Sequence, residues 1–81
     1  MQISFKRRYP RNRTVQLNSA ALKSVVYHPK LNEMEVEFTS GSRYQYGCVE
    51  QATYRGLIDA ESKGSFFVKR IRNDYPFRRL S

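Results

Sequence analysis

The residue in this chain best equipped to recognise another molecule is arginine. Lys6, Arg7, Arg8, Arg11 and Arg13 crowd the first 18 residues with no acid among them, giving that segment a charge of +5. Lys69, Arg70, Arg72, Arg78 and Arg79 stand against Asp74 in residues 69–81, giving +4, while residues 19–68 sum to −1. The formal net charge of +8 is therefore carried by the two ends. Arg dominates both ends, and its planar fork bonds phosphate bidentately and stacks on bases or aromatic rings, which the lysine ammonium does not do. Solubility alone asks for a few units of charge on a small domain. A clustered +8 points further, to an anionic partner.

Aromatic side chains accompany the charge. Phe5 and Tyr9 interleave with the N-terminal arginines, a composition shared by arms that reach along nucleic acid and by solvated tails. Tyr44 and Tyr46 lie two apart and so share one face of a strand. Exposed, they could stack unpaired bases. Paired across a hairpin with the apolar side chains of residues 34–38, they are core, and the symmetry of the hairpin favours the core. Tyr9, Tyr46 and Tyr75 are the candidate stacking residues.

Other chemistry is thinly supplied. Ser62-Lys63-Gly64-Ser65 could offer backbone N–H groups to a phosphate at a helix start, but it lacks the spacing of a glycine-rich loop and reads as an N-cap. His28 is the single histidine and Cys48 the single thiol, so no zinc-type ligand pattern exists. A Cys–His pair could still meet in space, yet a histidine before Pro29 reads as a surface loop residue. Glu33, Glu35 and Glu37 alternate like the polar face of a strand, available to solvent, to an acidic-patch partner or to the Arg-rich ends. The inventory predicts a binding module without cofactor or metal, not an enzyme.

These residues must be positioned by a small scaffold. Eighty-one residues allow one domain with one modest core, and 40% hydrophobic content with 11 Tyr and Phe residues gives enough apolar surface to fold. One cysteine excludes an intrachain disulfide, and neither a signal peptide nor a membrane span is legible, so the expected location is cytoplasmic with no membrane partner.

Residues 1–17 read as a basic N-terminal arm or as extra edge strands, with a turn at Tyr9-Pro10-Arg11-Asn12. Leu22 to His28 is a predicted strand, rich in β-branched and aromatic residues. In Glu33 to Thr39, Met34, Val36 and Phe38 alternate with the glutamates, giving a second strand, and Ser40-Gly41-Ser42 turns the chain into a third at Arg43 to Tyr46. The period then changes. Val49, Ala52, Tyr54, Leu57 and Ile58 suit a helix to about Glu61, and Phe67 and Ile71 suit a second, capped by Ser62 and running to about Arg72. Pro76 closes it, leaving Tyr75-Pro76-Phe77 and an aromatic basic tail. The fold class is α+β: a three-stranded antiparallel meander followed by two helices on one face, with residues 18–81 as a single domain.

Residues 18–80 also resemble the KTSC domain family, named from the C-terminal extension of some lysyl-tRNA synthetases. The resemblance is carried by Ser19, Leu22, Ser24, Tyr27, Met34-x-Val36-x-Phe38, Gly41 and the central Tyr44-x-Tyr46. Downstream it continues through Val49, Tyr54, Leu57, Ala60-Glu61-Ser62-Lys63-Gly64, Phe66-Phe67, Ile71-Arg72 and the Tyr75 to Leu80 series. It departs from the family at Glu50, where proline is usual, and at Val68-Lys69-Arg70, where Asn-Arg-Asn is common. The resemblance implies a compact bacterial or phage-type module with RNA binding as the suggested role.

The resulting expectation is a module that binds nucleic acid, RNA before DNA, through Arg7, Arg8, Arg11, Arg13, Arg70, Arg72, Arg78 and Arg79, with Tyr46 as a stacking partner. Arg72 is a candidate both for phosphate and for an ion pair with Asp59, Glu61 or Asp74. The rival readings are a protein-interaction or inhibitor module docking on an acidic surface, and a small anionic nucleotide bound near Ser62, Arg72 and the tyrosines.

Overall fold

The computed structural model describes residues 14–81. They form strands β1 (Thr14–Gln16), β2 (Leu22–His28), β3 (Glu33–Phe38) and β4 (Arg43–Tyr46), helices α1 (Gln51–Asp59) and α2 (Lys63–Arg70), and strand β5 (Phe77–Arg79). The strands build one antiparallel sheet in the order β1-β2-β3-β4-β5. The three-strand expectation is therefore corrected to five. The predicted meander is its centre, β1 is an edge strand at the end of the segment read as an arm or extra edge strands, and β5 forms within the aromatic basic tail, where no strand is predicted.

Period-two alternation sorts the sheet into two faces. Val25, Val36 and Tyr44 lie in one cross-strand row and Tyr27, Met34, Tyr46 and Phe77 in another, all toward the helices. Leu22 and Val25 are three residues apart and would ordinarily point to opposite faces. A bulge resolves this: Leu22 pairs with Phe38 and Ser24 with Glu37, leaving Lys23 as the extra residue and returning Leu22 to the core face.

The helices cover that face. Leu57 of α1 and Phe67 of α2 are buried with Leu22, Val25, Met34, Val36, Val49 and Ile71. Tyr54 stacks on Tyr27 with ring centroids 4.5 Å apart, and Phe67 meets Phe38 and Tyr46 edge-on at 5.4 and 5.5 Å. The expected apolar stripe on α1 holds for Tyr54, Leu57 and Ile58, but Ala52 is exposed. Ser62 caps α2 as expected, its hydroxyl accepting the Ser65 N–H at 3.3 Å. α2 ends at Arg70 rather than Arg72, and Ile71 to Asp74 close in turns whose N–H groups reach back to Phe67 and Ile71 carbonyls.

Connections use strained or permissive backbone where geometry demands it. Gly41, φ +99°, closes the β3–β4 hairpin. Asn32 and Cys48 adopt positive φ, 53° and 60°, with side chains that are not glycine. Cys48 is exposed and makes the link from β4 to α1. A residue with Cβ is strained by about 1–2 kcal/mol there, and glycine's looser unfolded chain returns part of that. Cys48→Gly is expected to stabilise the domain by about 0.5–1 kcal/mol, whereas Cys48→Val destabilises it. Urea midpoints of the two variants check this, and a Val variant as stable as the Gly variant would remove backbone strain as the cause.

Candidate functional site

The helices leave the β5 end of the sheet uncovered. Phe77 and Arg79 point to the helix side there, since Phe77 pairs with Tyr46 and Arg79 with Tyr44. Phe77 stays 58% exposed although its ring touches Tyr44 and Tyr46 at centroid distances of 5.8 and 5.5 Å. Between this sheet end and α2 lies a cleft of about 600 Å³. Phe38, Tyr44, Tyr46, Phe67 and Phe77 line its apolar part, and Val68, Arg72 and Asn73 come from the α2 side. Ser40 and Ser42 of the hairpin close one end.

The helical period decides which α2 side chains reach the cleft. Phe67 and Ile71 take the buried stripe. Phe66 and Arg70, also four apart, turn toward α1: a Cβ on Gly56 would sit 2.6 Å from the Phe66 ring tip, and the Arg70 guanidinium lies over that ring at 5.7 Å. Val68 and Arg72 occupy the remaining stripe and face the cleft. Arg70 and Arg72 therefore point to different surfaces.

Arg78 and Arg79 separate for the period-two reason. Arg79 lies over the Tyr44 ring at 6.0 Å, held by hydrogen bonds from Nε to the Ser81 carbonyl at 3.0 Å and from a terminal nitrogen to Ser42 Oγ at 3.4 Å. Arg78 faces the other side of the sheet and donates to Gln45 Oε1 at 2.9 Å, while Gln45 donates to Glu33 at 2.9 Å. Of the four C-terminal arginines, Arg72 lines the cleft and Arg79 covers the Tyr44 ring on the same side of the sheet, while Arg70 and Arg78 point elsewhere. Arg7, Arg8, Arg11 and Arg13 lie outside the described residues.

Charge is sorted by face. On the outer face Lys23 pairs with Glu37 at 3.7 Å, His28 with Glu35 at 3.2 Å and Arg43 with Glu35 at 3.6 Å. Glu35 and Glu37 thus serve basic neighbours on their own face while Glu33 accepts from Gln45, and His28 ends β2 as a half-buried partner of Glu35 rather than a free loop residue. Among the described residues no carboxylate lines the cleft, and Arg72 is in no ion pair, so of its two candidate roles the pair with Asp59, Glu61 or Asp74 does not form.

Tyr46 is 4% exposed and stands in the wall of the cleft. Its ring faces are taken by protein neighbours, so the hairpin symmetry prevailed and it offers no free platform for a base. Burial pushes its phenol above the ordinary tyrosine value, the neighbouring Tyr44 adds to the rise, and the Arg72 charge opposes it. Tyr75 is likewise committed, its hydroxyl 2.9 Å from Thr53 Oγ1 and donating to Glu50 at 3.2 Å. The exposed aromatic at the site is Phe77. Its signal was the alternation Phe77-x-Arg79, hidden because a three-residue strand dense in arginine looks like a solvated tail. No group of three or more His, Cys, Asp or Glu suited to a metal occurs among the described residues, and no described helix is long and apolar enough to cross a membrane.

This architecture recurs in known proteins. A KTSC domain protein from Yersinia pestis has a crystal structure that superposes with a TM-score of 0.79 at 27% identity, covering 85% of this chain and 97% of that one. An uncharacterized protein of Stutzerimonas stutzeri is 40% identical over 53 residues, 65% of this chain and 75% of the relative. A lysine–tRNA ligase of Nostoc punctiforme is 36% identical over 62 residues, which are 76% of this chain but 11% of the ligase, and a second Nostoc lysine–tRNA ligase matches at 35% over 60 residues. The KTSC domain description itself matches residues 18–75. With sequence, fold and relatives in agreement, the chain belongs to the KTSC domain family.

Proposed function

We propose that this domain is a non-enzymatic, cytoplasmic module that binds nucleic acid, RNA before DNA, by gripping phosphates with arginine. The observation that carries the reading is the sorting of charge between the two faces of the sheet. On the outer face Glu37 is matched to Lys23 and Glu35 to His28 and Arg43, while on the helix side Arg72 lines a cleft with no carboxylate among its described lining residues and Arg79 lies over Tyr44. Positive charge left unmatched on one face attracts a polyanion, and arginine forks suit its phosphates. The N-terminal arginines add to the same attraction. RNA is placed first because the segment that this chain matches also occurs within lysine–tRNA ligases, named for acting on an RNA.

The test is the salt dependence of affinity for a labelled single-stranded RNA. Each phosphate neutralised on a single strand contributes about −0.7 to the slope of log K against log salt. Arg72→Ala and Arg79→Ala are each expected to make the slope shallower by about that amount. Arg78→Ala, whose guanidinium is tied through Gln45 to the outer face, should change it less. An affinity indifferent to salt would overturn the proposal.

A further inference from the structure

We infer that the cleft beside β5 receives one unpaired base of a single-stranded nucleic acid, so that the protein distinguishes single strands from duplex. The inference rests on the nucleic-acid reading above and assigns its contact surface. Three observations meet at this place.

The first is size. A cleft of about 600 Å³ falls within the range of pockets that hold small organic ligands, which spans about 300–1,000 Å³, and so accommodates a nucleotide. The second is surface chemistry. Phe77 and Val68 are 58% and 51% exposed, and both line the cleft. An apolar aromatic surface left in water gains by covering, and the π-face of a base is a flat apolar partner for it. In a duplex that face is already stacked on the neighbouring pair, so only an unpaired base can present it.

The third is charge complementarity. Arg72 lines the cleft from the α2 side, and Arg79 lies over Tyr44, one of the rings of its aromatic floor. Arg79 is oriented by hydrogen bonds to Ser42 Oγ and the Ser81 main-chain oxygen. A base seated on Phe77 would leave its flanking phosphates beside these two guanidinium groups. Asn73 and Ser40 supply polar groups for the edge of the base. An uncharged apolar peptide would satisfy the floor and leave both arginines unmatched.

Fluorescence anisotropy, repeated over a series of salt concentrations, tests this with a labelled single-stranded RNA of roughly ten nucleotides, the same strand annealed to its complement, and the corresponding free mononucleotide. The single strand is expected to bind at least about tenfold more tightly than the duplex. Phe77→Ala is expected to weaken single-strand binding by about 10- to 100-fold without altering the salt slope, because stacking is lost and phosphate contacts are kept. Phe77→Trp should restore binding. Phe77 is exposed, so both variants should fold, and their thermal transitions verify it.

Equal affinity for single strand and duplex, or no effect of Phe77→Ala, would overturn the base-cleft assignment while salt-dependent binding left the phosphate-gripping reading intact. Mononucleotide binding as tight as that of the strand would replace the strand with a free nucleotide as occupant. No binding of either nucleic acid at low salt would overturn both readings together.

Discussion

Phe67→Ala is expected to destabilise the domain by about 3–5 kcal/mol, the range for removing a buried phenylalanine. The ring is 4% exposed and meets two others edge-on, Phe38 at 5.4 Å and Tyr46 at 5.5 Å. It is the side chain by which α2 grips the β3–β4 side of the sheet. Its removal forfeits transfer free energy and both aromatic contacts, and leaves a cavity that the sheet cannot collapse to fill. A domain of this length has a total stability of roughly 4–12 kcal/mol, so the substitution removes between about a quarter and all of it. Urea denaturation followed by circular dichroism measures the loss. A cost under about 1 kcal/mol would mean that α2 is not fastened through this ring. The neighbouring Phe66→Ala should cost less, because that ring is only partly buried, between Gly56 and Arg70.

Tyr27→Phe is the second large effect, and it isolates a single oxygen. The buried Tyr27 hydroxyl donates to the Val49 carbonyl at 2.8 Å and lies 3.4 Å from Asn32 Oδ1. Asn32 in turn accepts the Val49 N–H on its own carbonyl at 2.7 Å. One phenol therefore ties the β2–β3 turn to the entry of α1. Phenylalanine fills the same space but leaves a buried carbonyl without its donor, a cost of about 1–3 kcal/mol. Tyr27→Ala also loses the stack on Tyr54 and should approach the cost of Phe67→Ala.

The same phenol makes stability depend on alkaline pH. Burial raises the Tyr27 pKa above its ordinary value of 10.0, with Glu50 and Tyr54 adding to the rise, and burial raises that of Tyr46 as well. Where the folded pKa lies above the unfolded one, the stabilisation is complete below about pH 10 and is lost as pH climbs through the folded value, because the unfolded chain then binds fewer protons. Unfolding free energies should therefore be flat near neutrality with respect to these groups and fall above about pH 10. In Tyr27→Phe the fall should be shallower. An unchanged slope in that variant would show that Tyr27 is not one of the titrating groups.

Much of this protein was legible as sequence because it was written in local period. The alternation of Met34, Val36 and Phe38 with glutamates, the Gly41 turn and the Tyr44-x-Tyr46 pair specify a hairpin and its buried face, since a strand sends successive side chains to opposite sides. Ser62 before an apolar 3.6-residue stripe specifies the start of α2 by the same kind of local rule. Net charge and its placement at the ends were likewise open to inspection. The ordered motif series from Ser19 onward carried the family.

What only the tertiary structure decided was which of these residues meet. β1 and β5 are three residues each, too short for a period to show, and they exist because the edges of the meander offer unpaired backbone groups to whatever chain lies alongside. The Lys23 bulge reverses a parity that the strand's own pattern implies. Four C-terminal arginines look alike in one dimension, yet register sends Arg79 over Tyr44 on the helix side and Arg78 to the glutamate face, while helix phase sends Arg70 onto Phe66 and the turn after α2 sends Arg72 to the cleft. Composition settles how much charge a chain carries, whereas the pairing of strands and the phase of a helix settle where that charge can act. That placement is a property of packing between distant segments, which no local pattern encodes.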